Sequence, residues 1–158
     1  MYKTKFYVVI AVFMAMLFGQ NIQAQTYTEE IDMFQSIFGM EKKELVSDFL
    51  QDAANDDFWT LYDEYELKRK SLGKERLQAL TNYANNYDSM DLTGYDNTIK
   101  EMIRLRSAND KLIDSYYKKI KKKSGSKAAA QFFQIESYIL SESRSAILEG
   151  IPFIGELN

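Results

Sequence analysis

The sequence contains no cysteine and no histidine. Their absence excludes disulfide bonds, thiol nucleophiles and imidazole acid–base catalysis, and it removes the usual ligands of zinc sites. Proline occurs once and glycine seven times in 158 residues, too few for the many turns of a β-sandwich or a β-barrel. A chain with so few turn residues favours long helices joined by short loops, stabilised by packing alone.

The first 24 residues have the pattern of a secretory signal peptide. Lys3 and Lys5 precede an uncharged apolar run at residues 6–18, and Ala24 provides a small residue for cleavage. A membrane anchor is the less favoured alternative, because a span needs roughly 20 apolar residues. We therefore expect residues 1–24 to be removed after Ala24, leaving residues 25–158 as a single helical domain that is periplasmic or secreted.

The overall charge and the missing motifs limit the classes of function. Removal of the signal peptide would leave 18 basic and 23 acidic residues, an excess that argues against nucleic-acid binding. The sequence offers no nucleophile–base pair, no phosphate-binding loop and no calcium-binding loop. Asp52, Asp56 and Asp57 cluster, but their place at a helix start favours a structural role. We expect no enzymatic activity, no cofactor and no metal site.

Apolar residues recur at spacings of three and four along the rest of the chain, which predicts helices. The predicted helical segments cover residues 28–50, 55–87, 95–123 and 126–149. Asn55 is a good N-cap for the second segment, and Gly125 ends the third. Amphipathic segments with short connections predict an all-α fold, an elongated bundle or set of antiparallel hairpins with about four helices.

Three points of this assignment stay open. Gly39 lies between two apolar stripes, so the first segment is either one helix or two short ones. Gly73 interrupts the second segment and allows a bend there. After Gly150, the apolar side chains of Ile151, Phe153 and Ile154 are expected to fold back onto the bundle.

An aromatic cluster at residues 58–66 contains the only tryptophan of the chain. Phe58, Tyr62 and Tyr65 share one helix face, with Trp59 beside them. The favoured interpretation is core packing, because aromatic side chains bury large areas. The alternative is an exposed surface on which Trp59 and Tyr62 contact a partner protein.

A basic run between residues 118 and 127 contains six lysines and no acidic residue. One interpretation is that the positive charges offset the dipole at a helix C-terminus. The other is a docking patch for acidic peptide segments, anionic lipid headgroups or nucleic acid, of which nucleic acid is the least favoured. The candidate partner-binding residues are therefore Trp59, Tyr62, Lys118, Lys119, Lys121, Lys122, Lys123 and Lys127.

Glu136 borders the apolar face of the last predicted helix. A carboxylate in that position is expected to be partly buried. Burial of a charge is costly unless it has a partner such as a lysine or arginine, so we expect either a structural ion pair or a hydrogen bond at Glu136.

Residues 58–66 (FWTLYDEYE), residues 132–136 (FFQIE) and Ile151-Pro152 together resemble small exported helical proteins, which are in turn similar to the Spy/CpxP group of periplasmic stress proteins. The resemblance implies an elongated all-α fold, dimers, and binding of unfolded or signalling partners without ATP. The Leu-Thr-x-x-Gln repeat of that group is present once, as Leu92-Thr93-Gly94-Tyr95-Asp96, with Asp96 in place of glutamine. No residue role is carried over from the group.

Two functions follow as alternatives. The first is an exported, non-enzymatic binding protein of the cell envelope, chaperone-like, that binds unfolded or stress-signalling partners. The second is a structural or regulatory protein that docks on one envelope protein or on an anionic membrane surface. Both functions imply protein partners. We also expect a possible homodimer and a possible peripheral contact with an anionic membrane. We expect no nucleic-acid ligand.

Overall fold

The computed structural model describes residues 38–149, apart from the side chains of Ile147 and Glu149. Within this range the protein is all-α and contains no strand. None of the helices described is both long enough and apolar enough to cross a membrane. The predicted signal peptide, the first part of the predicted 28–50 helix and the apolar tail after Gly150 lie outside the described residues.

Four helices are described. Helix α1 includes residues 38–50, α2 covers Asp56–Asn86, α3 covers Leu92–Ser124 and α4 covers Ser126–Glu149. Short 3-10 helices, Gln51–Ala53 and Tyr87–Ser89, follow α1 and α2. Gly39 lies inside α1, so the described part of that segment is one helix, and Gly73 does not interrupt α2. The all-α prediction is confirmed.

Local capping residues set the helix ends. Asn55 accepts a hydrogen bond from the backbone N–H of Phe58 at 2.9 Å, as expected for the N-cap of α2. Asp91 caps α3 in the same way, accepting from the N–H of Gly94 at 2.7 Å. The predicted start of α3 at residue 95 was therefore three residues too late. Gly125 ends α3 with a φ of 91°, a conformation that favours glycine, and α4 begins at the next residue.

Contacts between α2 and α3 show that these helices are antiparallel. Glu75 binds Arg104, and eleven residues earlier in α2, Glu64 accepts from the hydroxyl of Tyr116. Residue numbers therefore rise along one helix as they fall along the other. Helices of 31 and 33 residues extend for about 45–50 Å.

The two remaining helices complete an up-and-down bundle. Lys43 of α1 contacts Asp63 of α2, and Arg144 of α4 contacts Asp110 of α3. Gln131 of α4 donates a hydrogen bond to the backbone carbonyl of Phe49, near the end of α1. The α1–α2 connection and the α3–α4 turn therefore lie at the same end of the molecule.

The main cluster of buried side chains lies toward that end and is rich in aromatic residues. A smaller set is buried toward the other end: Leu77, Leu80, Tyr83, Tyr87 and Leu105. Phe132 of α4 contacts Phe58, Tyr62 and Tyr65 of α2, with ring centroids 6.5, 6.4 and 5.1 Å away. This confirms the interpretation of the aromatic stripe as core. The other helices contribute the remaining buried apolar side chains of this cluster: Phe38, Val46, Leu50, Ile113, Tyr116, Ile120, Ala128, Ala129, Ile135 and Ile139.

Candidate functional site

The lysines of the basic run surround the turn between α3 and α4. Each of the six is exposed, and none forms an ion pair with a residue that the structure describes. Lys121, Lys122 and Lys123 occupy the last turn of α3, where positive charge offsets the helix dipole. Lys127 lies in the first turn of α4, where positive charge opposes the dipole. Favourable interaction with the helix dipole therefore does not explain the presence of all six lysines.

Aromatic rings lie among these lysines. The Nζ atom of Lys121 is 5.8 Å from the ring centre of Tyr117, and the ring of Tyr117 meets that of Phe133 edge-on at 5.9 Å. Phe133 is exposed on α4. We call the six lysines together with Tyr117 and Phe133 the basic tip. It combines concentrated positive charge with an accessible apolar face at one end of the bundle.

The other two candidate residues have different surroundings. Trp59 is half-buried, edge-on to Phe58 at 5.1 Å and to Tyr62 at 5.7 Å. The cation over its ring, at 5.5 Å, belongs to Lys43 and not to the basic run. Tyr62 is fully buried, so its side chain is not accessible to a partner in the folded bundle. The structure thus brings Trp59 to the same end as the lysines and places Tyr62 in the core.

A buried ionic cluster lies beside the aromatic core. Lys42 of α1 is 1% exposed, and its Nζ atom lies 2.5 Å from Oε1 of Glu66 and 2.7 Å from Oε2 of Glu136. Glu136 is 2% exposed. Arg69 donates to both carboxylate oxygens of Glu66, at 2.9 and 3.0 Å. Two cations therefore balance two carboxylates, and Glu136 has the cationic partner that its position predicted.

Two tyrosines of the aromatic stripe complete this cluster. The hydroxyl of Tyr65 donates to Oε2 of Glu136 at 2.6 Å, and that of Tyr62 donates to Oε1 at 3.3 Å. Both carboxylate oxygens of Glu136 are thereby occupied. Burial is the main cause that raises the pKa of each of these tyrosines well above the ordinary value, and the negative charge of Glu136 is the second. They remain neutral hydrogen-bond donors at physiological pH.

Opposing effects act on the pKa of Glu66. Burial alone would raise it, but the positive charges of Lys42 and Arg69 and their hydrogen bonds outweigh burial. As a result, the pKa of Glu66 is lower than its ordinary value. The carboxylate of Glu66 is therefore kept ionised. Because the charged groups of the cluster bind one another, the cluster is better suited to holding helices together than to transferring protons.

Sequence reasoning missed Lys42. A signal was present, because Phe38, Lys42 and Val46 recur at a spacing of four and so share one face of α1. A lysine centred on an apolar stripe indicates a buried cation in need of a carboxylate. Glu136 provides it from a residue that is remote in the sequence.

The exposed carboxylates do not form a comparable site. Asp52, Asp56 and Asp57 face solvent, and the latter two lie in the first turn of α2. Among residues 38–149 no group of three or more acidic side chains is arranged to hold a metal ion. Comparisons with family models, with curated proteins and with solved structures found no match to this chain. The basic tip is therefore the candidate site, and it has to be interpreted from its own contacts.

Replacement of Lys42 by methionine is expected to destabilise the bundle by roughly 3–5 kcal/mol, because it leaves buried carboxylates without their cation. Lys43→Met is the matched control, since Lys43 is exposed and its pair with Asp63 is solvent-accessible. Loss of such a surface pair costs about 0–1 kcal/mol. The free energy of unfolding of both variants is measured by urea titration monitored by circular dichroism. Equal destabilisation by the two variants would contradict the buried cluster.

Stability should also depend on pH through Glu66. A carboxyl group whose pKa is lowered in the folded state stabilises the fold above its unfolded pKa, here near 4.5, and that contribution is lost as the pH falls through the lowered folded value. We expect the melting temperature to decrease below about pH 4.5. Glu66→Gln should be less stable at neutral pH but lose less on acidification. The same loss of melting temperature on acidification in wild type and in Glu66→Gln would contradict this role of Glu66.

Proposed function

We propose that this chain is an exported, non-enzymatic binding protein of the cell envelope that holds unfolded or stress-signalling polypeptides at its basic tip without using ATP. The observation that carries the proposal is the set of exposed lysines around Tyr117 and the exposed Phe133, none of which forms an ion pair with a described residue. Lysines attract acidic segments of a partner, and the aromatic pair offers contact to apolar side chains that a folded partner would bury.

The charge distribution supports capture of a partner from solution. The chain has a net charge of −3, yet six lysines are concentrated around the α3–α4 turn, while the exposed Asp52, Asp56 and Asp57 of the same end belong to the α1–α2 connection. Such a local field accelerates encounter with acidic segments and orients them, and salt screens it within about 10 Å at 0.1 M. Attraction by exposed charges is weak and reversible, as required for a protein that releases its partner without an energy source.

The shape of the molecule and its resemblance to the Spy/CpxP group favour the same function. Helices as long as α2 and α3 give a large surface for the number of residues, and the aromatic core is concentrated at one end. The resemblance implies ATP-independent binding of unfolded partners in the periplasm. Export, which the first 24 residues predict, is part of the proposal.

Light scattering tests the proposal directly. The purified protein, in several-fold excess, should suppress aggregation of a chemically denatured client enzyme that is diluted into buffer, and added salt should weaken this effect. The variant Lys122→Gln/Lys123→Gln should suppress less, as should Phe133→Gln, because each removes charge or apolar contact from the basic tip. Lys100→Gln/Lys111→Gln changes two exposed lysines elsewhere on α3 and should behave as the wild type.

If aggregation is unchanged at every excess and salt concentration, the chaperone-like function is wrong. The second candidate, docking on an anionic membrane surface or on one envelope protein, is favoured by the same exposed lysines. It predicts salt-sensitive binding to vesicles that contain phosphatidylglycerol, or recovery of one stoichiometric partner, with no effect on the aggregating client. The paired lysine variants distinguish tip-mediated binding from general charge attraction in either experiment.

A further inference from the structure

An arginine lies on the inward-facing side of α2, beyond the main cluster of buried aromatic residues. Arg76 follows Tyr62 and Arg69 at intervals of seven, so the three share the helix face on which Tyr62 contacts α4. Arg76 is half-buried. It lies 20 residues after the start of α2, about 30 Å from the end of the bundle that carries the basic tip.

No carboxylate among the described residues neutralises Arg76. Arg69, two turns earlier, has a carboxylate partner, whereas none of the ion pairs or side-chain hydrogen bonds between residues 38 and 149 includes the guanidinium group of Arg76. Glu75, the adjacent residue, pairs with Arg104 instead. A charge that is partly removed from water costs free energy unless it is paired. Helix packing therefore gives no reason for an arginine at this position.

Arg144 of α4 lies at the same level of the bundle. Helices α2 and α4 run in the same direction, since each is antiparallel to α3. Phe132 of α4 contacts Tyr65, which lies 67 positions earlier in the chain, and Phe58, which lies 74 positions earlier. Arg144 follows Arg76 by 68 positions, within the same interval. The register of the two helices therefore brings these arginines to one level.

The two guanidinium groups also interact electrostatically. Burial is the main cause that lowers the pKa of Arg76 to about 10, and the positive charge of Arg144 is the second. Arg76 therefore stays charged at neutral pH. Arg144 binds Oδ1 of Asp110 at 3.0 Å, and the side chain of Asp110 is 56% exposed. The two cations thus have one exposed carboxylate between them, which leaves one positive charge uncompensated among the described residues.

We propose that Arg76 and Arg144 together bind a small oxyanion, either a carboxylate or a phosphate group, between α2 and α4. A guanidinium group presents paired N–H donors in a planar fork, and that geometry matches two oxygens of either anion. The partly buried position strengthens the attraction, because salt and water screen it less than at the surface. The site uses none of the lysines of the basic tip, so it goes beyond the function proposed for the tip.

Thermal unfolding of the purified protein, expressed from the full sequence, tests the site. Sodium acetate and sodium phosphate are added separately at neutral pH up to about 20 mM, and each is compared with sodium chloride at the same ionic strength. We expect at least one of the two anions to raise the melting temperature in a saturable way, with a dissociation constant of about 1 mM. The anion that produces the rise identifies the class of ligand. No rise with either anion overturns the proposal.

Variants of Arg76 distinguish this site from a general effect of salt. Arg76→Met should weaken binding at least about tenfold, and Arg76→Lys, which keeps the charge but loses the planar fork, should bind with intermediate affinity. Lys100→Met is the matched control, because it removes one positive charge from an exposed position of α3 that forms no described ion pair. It should leave the dissociation constant within about twofold of wild type. An equal response of Arg76→Met and wild type overturns the proposal.

The same variant distinguishes an anion site from a purely structural role of Arg76. In sodium chloride alone, Arg76→Met should melt at or above the wild-type temperature, because it removes an unpaired charge and leaves an unbranched apolar side chain in its place. A lower melting temperature would show that the arginine stabilises the bundle by itself, and would contradict the proposal.

Discussion

The structure depends on the neutralisation of one buried ammonium group. Lys42 enters the core from α1, and its carboxylate partners come from α2 and α4. An unpaired charge in that position would cost several kcal/mol. Apolar contacts such as those of Val46 tolerate small displacements, whereas short ion pairs do not. The cluster therefore fixes how α1 sits against the other helices, in a chain that has no disulfide to do so.

Much of the architecture could be predicted from local signals. Asn55 and Gly125 mark helix ends through interactions within a few residues, and the predicted limits of α4 agree with the structure. The start of α3 was misplaced because aspartate followed three residues later by glycine suits both a turn and a helix cap. Here Asp91 caps the helix.

The sites were harder to predict because their parts come from distant positions. Glu136 was recognised as a carboxylate in need of a cation, but no short-range pattern connects it to Lys42. The exposure of the basic run follows from its composition. Its contact with an aromatic pair could not be predicted from composition, since Tyr117 and Phe133 meet only when α3 and α4 pack together. The burial of Tyr62 likewise depends on Phe132 from another helix.

The large sequence separation between Lys42 and Glu136 also determines when the core can form. A chain that is synthesised from its N-terminus contains the lysine long before the glutamate. Until α4 arrives, the α1–α2 hairpin has Glu66 but lacks both Glu136 and the ring of Phe132. The earlier helices therefore lack part of the core until α4 has been made. Closure of the bundle around Lys42 has to wait for the last helix of the described chain.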